Sequence, residues 1–109
     1  SLKKTKTIEK RYEKTAQMIA SGMNIADIAK ERGLAEGTIM AHLEEACKKG
    51  KVREEQMAHV KAECSDGLVE IHKAFRELGI TFLSPVREHL NCKYSYDTIR
   101  LARLFYKDS

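Results

Sequence analysis

The chain has 109 residues, of which 33% are charged, 42% hydrophobic and 6% aromatic, with a formal net charge of +4. That length suits one domain or two very small ones, and the apolar share with near-balanced charge excludes a disordered chain. No run of about 18 apolar residues is present and no basic start precedes an apolar stretch, so neither a membrane-spanning helix nor a secretory signal is expected.

Helix signals dominate from the start. Ile8, Tyr12, Ala16 and Ile19 recur at helical spacing, and Gly22 suits the residue just past that helix. Asn24 is a good N-cap for a short helix over 25–32, which Gly33 closes. A third helix starts near Glu36, carries Ile39, Leu43 and Cys47 on one face, and ends at Gly50 after Lys48 and Lys49. Lys51-Val52-Arg53 is either an extended link or one strand of a small wing, and 54–62 reads as a weaker helix. Ser65 or Asp66 then caps a helix carrying Leu68, Ile71, Phe75 and Leu78, with Gly79 at its end. Ser84-Pro85 starts a short helix, Ser at the N-cap and Pro in the first turn, and a last helix runs from about Tyr96 to Tyr106. No sustained alternation of period two occurs.

The expected class is therefore all-α: a helical bundle containing a helix-turn-helix, winged-helix-like, or two stacked three-helix units. The expected divisions are a basic linker at 1–6, a helix-turn-helix unit at 7–53, a connecting helix and turn at 54–66, and a second helical unit at 67–107. The chain opens on Ser1 rather than Met, and reads as a fragment cut from a larger protein. Cys47, Cys64 and Cys92 form no close pair, which fits reduced thiols in a cytoplasmic protein, nucleoid-associated if bacterial.

The stretch 25–43 is the most informative. A helix-turn-helix needs a small residue where the two helices cross, a residue tolerant of positive φ in the turn, and an aliphatic residue packed back at the crossing. Ala29, Gly33 and Ile39 supply these in order, with Leu34 placed to plug the turn. Thr38, Ile39, His42 and Leu43 resemble the T-[VI]-x-x-H-L run of LuxR-type regulators. The chain is still more similar to the helix-turn-helix domain at the C-terminal end of RecQ-family DNA helicases. There the likeness extends through Ser84–Leu90 and Tyr94–Tyr106 and covers roughly residues 7–106. By that resemblance the parent is an ATP-dependent helicase of DNA repair and recombination, with ATP and Mg in a motor outside this fragment and upstream helicase domains as partners.

Charge placement points to phosphates. Residues 1–14 hold six bases (Lys3, Lys4, Lys6, Lys10, Arg11, Lys14) and two acids, which is the entire excess; the rest of the chain is neutral. A basic arm is a footprint of nucleic-acid binding, or a solubilising linker. Lys48, Lys49, Lys51 and Arg53 follow the third helix, and Arg100 and Arg103 lie on the last. Thr38 could donate to a phosphate, as could His42 if protonated. The exposed start of the third helix is expected to be Glu36, Gly37, Thr38, Met40 and Ala41, followed by Glu44 and Glu45, with no base before Lys48. No side chain for pairing with guanine or adenine is available there, which counts against sequence-specific readout. Tyr94 and Tyr96 either stack on unpaired bases or pack with a wet hydroxyl.

No phosphate-cradling glycine loop is present, and no catalytic residue, metal set or cofactor is expected in the chain itself. Two readings of different kind remain: an accessory module that binds duplex, forked or single-stranded DNA without sequence specificity, and a protein-interaction module on the same fold. A helix-turn-helix transcription regulator is a minor third.

Overall fold

The computed structural model describes the backbone of residues 2–107 and the side chains of residues 11–107. The described residues form helices and turns and contain no strand. The chain divides into two compact units, Ser1–Val60 and Lys61–Ser109.

The first unit is built on α1 (Leu2–Ala20), α2 (Ile25–Arg32) and α3 (Glu36–Lys48), followed by a 3-10 turn at Glu54–Met57 and the single-turn helix α4 (Ala58–Lys61). Helix α1 starts at Leu2, so the stretch 2–6 expected as a linker is helical backbone. Tyr12, Thr15, Ala16 and Ile19 are its buried described side chains. Asn24 caps α2: its Oδ1 accepts the Asp27 N–H at 2.9 Å. Ile28 and Ala29 of α2 and Ile39, Leu43 and Ala46 of α3 face one another and α1 in the core.

The turn between α2 and α3 depends on Gly33. It sits at φ 66° and ψ 34°, in the left-handed region, and its N–H donates to the Lys30 carbonyl while the Leu34 N–H reaches back to Ala29. These two bonds satisfy carbonyls that a helix end leaves open. A Cβ at Gly33 would touch nothing, so the requirement is the backbone angle rather than space. The same pair of bonds closes α1 and α3, through Gly22 with Met23 and Gly50 with Lys51.

Of the two alternatives for Lys51-Val52-Arg53, the structure has the link: no strand forms, and Val52 is buried against the unit. Two local expectations are corrected here. Met40 is 6% exposed and belongs to the core, not to the outer face of α3. Leu34 is 37% exposed and only partly plugs the turn.

The second unit begins with a 3-10 turn at Ala62–Cys64 and contains α5 (Ser65–Leu78), α6 (Leu83–His89) and α7 (Tyr96–Leu104). Ile71, Ala74, Phe75, Val86, Ile99, Ala102 and Phe105 form its core. Ser95 caps α7 by accepting the Thr98 N–H at 3.2 Å. Two expected caps do not form. Ser65 follows turns that are already helical and has helical angles itself, so its hydroxyl donates back to the Ala62 carbonyl at 3.0 Å. Helix α6 starts two residues early, with extended Phe82 at the cap position and Ser84 inside the first turn. Pro85 is tolerated there because the first-turn amides have no helical partner to lose.

Candidate nucleic-acid interface

Helix α3 presents Glu36, Gly37, Thr38 and Ala41 to solvent, with Glu44 and Glu45 half-buried one turn on. Its first described base is Lys48, in the last turn. The outer face of the helix is therefore acidic at its start and basic at its end.

Positive charge near the start of α3 comes from its neighbours. Arg11 of α1, Arg32 at the end of α2, Leu34 of the turn, and Thr38 and His42 of α3 line a pocket of about 270 Å³. The Arg32 guanidinium is anchored beneath it. Nη1 donates to the Arg11 carbonyl at 3.1 Å and to Thr15 Oγ1 at 2.5 Å. Thr15 is 0% exposed, and its Oγ1 lies 3.0 Å from His42 Nδ1. Since Arg32 only donates, the Thr15 hydroxyl accepts from it and gives its own proton to Nδ1. The imidazole then carries its proton on Nε2.

Burial, and then the charges of Arg32 and Arg11, hold the His42 pKa below its ordinary value of 6.5. His42 is thus a neutral group at neutral pH. The sign of the stability effect follows. Below pH 6.5 the unfolded chain takes up a proton that folded His42 resists, so this contribution is complete above 6.5 and is lost as pH falls through the depressed folded value. His42→Gln is expected to flatten the fall of thermal midpoint between pH 7 and pH 5 relative to wild type. Parallel curves for the two proteins would contradict a depressed His42.

The other expected phosphate contacts are placed as follows. Lys14, Lys48 and Lys49 are exposed. Lys51 lies 3.9 Å from Glu13, and Arg53 lies 3.8 Å from Glu55, both as solvent-facing pairs. Arg100 and Arg103 belong to the second unit, where Arg103 donates to the Ile80 carbonyl at 3.0 Å. Lys3, Lys4, Lys6 and Lys10 lie outside the residues whose side chains are described. The pocket therefore joins Arg11, Thr38 and His42 from the expected set and adds Arg32, which sequence reasoning left as the end of a helix.

Both tyrosines in question have protein partners. Tyr94 is half-buried, with Lys93 Nζ 5.5 Å from its ring centre and its hydroxyl 3.4 Å from Glu70 Oε1. Tyr96 is exposed, but the Arg87 guanidinium sits 4.7 Å from its ring centre and its hydroxyl meets Ser84 Oγ at 3.1 Å. Burial pushes the thiols of Cys47 and Cys64 up, the reverse of what a nucleophile needs. No group of three His, Cys, Asp or Glu suited to a metal occurs among the described residues. None of the described helices is long and apolar enough to cross a membrane.

A family model described as a helix-turn-helix domain matches residues 11–103. That span is most of the chain, and the chain belongs to this helix-turn-helix domain family. The membership points to DNA binding. Neither the curated proteins nor the solved structures contain a match.

Proposed function

We propose that this chain is a non-catalytic DNA-binding accessory module of a RecQ-like ATP-dependent DNA helicase acting in repair or recombination. It would contact backbone or fork largely without sequence specificity. The observation that carries this reading is the composition of the helix-turn-helix surface. Two arginines flank the start of α3, while the exposed residues of α3 itself offer no partner for a base edge. The resemblance of Ser84–Leu90 and Tyr94–Tyr106 to the RecQ C-terminal domain supports the parent. ATP and Mg would then act in a motor outside this chain, alongside the upstream helicase domains, in the cytoplasm and, if the source is bacterial, at the nucleoid.

The test is fluorescence anisotropy of the chain with duplex, single-stranded and forked DNA at several salt concentrations. A phosphate binder should show log affinity falling against log salt with a slope of about −0.9 per phosphate neutralised on duplex. Removing residues 1–14 is the wrong way to test the arm, because Tyr12 is in the core. Substituting Lys3, Lys4, Lys6 and Lys10 with glutamine separates arm from fold. Binding that survives places the contact on residues after Lys10, and the absence of binding to every DNA would overturn the reading.

One observation favours the protein-interaction reading. Leu78, Ile80 and Phe82, at the α5–α6 link, are exposed, Phe82 by 73%. A chain that ignored DNA but was captured by a protein through this link would belong to that class.

A further inference from the structure

We infer that the pocket formed by Arg11, Arg32, Thr38 and His42 seats a single phosphate oxyanion, either one phosphodiester of a bound nucleic acid or a free phosphate. The inference deepens the DNA-binding reading and rests on it for the identity of the larger ligand.

Charge gives the first reason. Among the described residues the lining carries two guanidinium groups and no carboxylate. Like charges held around one volume repel, and an anion between them removes that cost. His42 feels the same field: burial first, and then the charges of Arg32 and Arg11, lower its pKa.

Preorganisation gives the second. A surface arginine normally loses rotamer freedom when it grips an anion. Arg32 has already lost it: Nη1 is tied to the Arg11 carbonyl and to fully buried Thr15. These bonds use only Nη1, so the Nε–H and Nη2 donors make no hydrogen bond among the described residues. They can form the paired donation that matches two phosphate oxygens.

The spread of donors gives the third. They come from three helices: Arg11 from α1, Arg32 from α2, and the Thr38 hydroxyl and His42 from α3. Donors converging from several directions suit a tetrahedral anion better than a planar carboxylate, which two parallel donors satisfy. His42 adds to the set as a neutral donor. Thr15 occupies Nδ1 and leaves the proton on Nε2.

Arg11→Gln is the informative variant, because the Arg11 side chain is exposed and only its carbonyl takes part in anchoring Arg32. The full chain and this variant are titrated with inorganic phosphate and, separately, with a short duplex. NMR follows the Thr38 amide and the His42 ring, and anisotropy follows the duplex. Phosphate is expected to move both signals saturably in wild type and much more weakly in Arg11→Gln. The variant should bind duplex roughly tenfold more weakly, the worth of a charge-assisted hydrogen bond, and its salt slope should be shallower by about 0.9. Arg32→Gln should act in the same direction, with circular dichroism confirming that the variant is folded.

The outcomes separate the two claims. Duplex binding with affinity and slope unchanged in Arg11→Gln overturns the pocket and leaves DNA binding standing. Saturable phosphate shifts without any DNA binding uphold the pocket for free phosphate and overturn the DNA reading. No response to phosphate or duplex overturns both.

Discussion

Phe75→Ala is expected to destabilise the second unit by about 3–5 kcal/mol, the range for removing a buried aromatic ring and leaving its space. Phe75 is 1% exposed and is among the largest fully buried side chains. Its ring meets Tyr106 edge-on at 5.4 Å between centroids and 72°, with His72 at 6.1 Å. Tyr106 and His72 are themselves in edge contact at 5.4 Å, and His72 Nε2 donates to the Ala102 carbonyl at 2.8 Å. Removing the central ring therefore takes a shared partner from both α5 and the end of α7. Such a loss is a large part of the roughly 5–15 kcal/mol that holds a small domain folded. Urea unfolding by circular dichroism would measure it. A loss under about 1 kcal/mol would mean that the neighbours close the gap and that the ring cluster does not organise this core.

Gly67→Ala is expected to destabilise, although alanine is ordinarily the better helix residue by about 1 kcal/mol. Gly67 lies buried in the first turn of α5, and a methyl group there would overlap the Tyr94 ring. The ring has little room to yield. The Tyr94 carbonyl accepts from Arg87 Nε at 3.1 Å and its hydroxyl faces Glu70. Overpacking of this kind costs about 1–3 kcal/mol, so against the alanine gain the net loss is up to about 2 kcal/mol. In a Tyr94→Ala background the clash disappears and the same substitution should become stabilising. Melting temperatures of the four proteins test this directly. A destabilising effect that persists without the ring would show that Tyr94 is not the reason for the glycine.

The helix-turn-helix was legible in the sequence because its constraints are local. Ala29, Gly33 and Ile39 stand at fixed offsets, and the structure puts Ala29 and Ile39 in the core and Gly33 at positive φ. The arginine pocket was only half legible. Thr38 and His42 share a face of α3, but bringing Arg11 and Arg32 to them depends on how α1 lies against α3, and no spacing in one chain gives that. Thr15 carries no sequence signal, since only tertiary structure shows that it is buried and bridges two side chains. Met40 lies in the core, which a two-helix motif read by itself does not show. The caps at Ser65 and Ser84 shifted because each depends on what the preceding turn is already doing. Gly67 carried no signal at all, because its reason is a ring 27 positions downstream.

The closure of α1, α2 and α3 by hydrogen bonds to their own last turns has a kinetic consequence. Each connection forms from residues within six positions of one another, so little chain must be gathered before the turns are made. The long loops of the first unit are closed by α1 against α3, with Thr15 and His42 bonded across 27 positions, and by the later turns, with His59 Nε2 donating to the Met23 carbonyl across 36. A fold with that balance belongs with small helical domains that form in microseconds to milliseconds, and its slowest step is expected to be the docking of α1 onto a helix pair that is already turned.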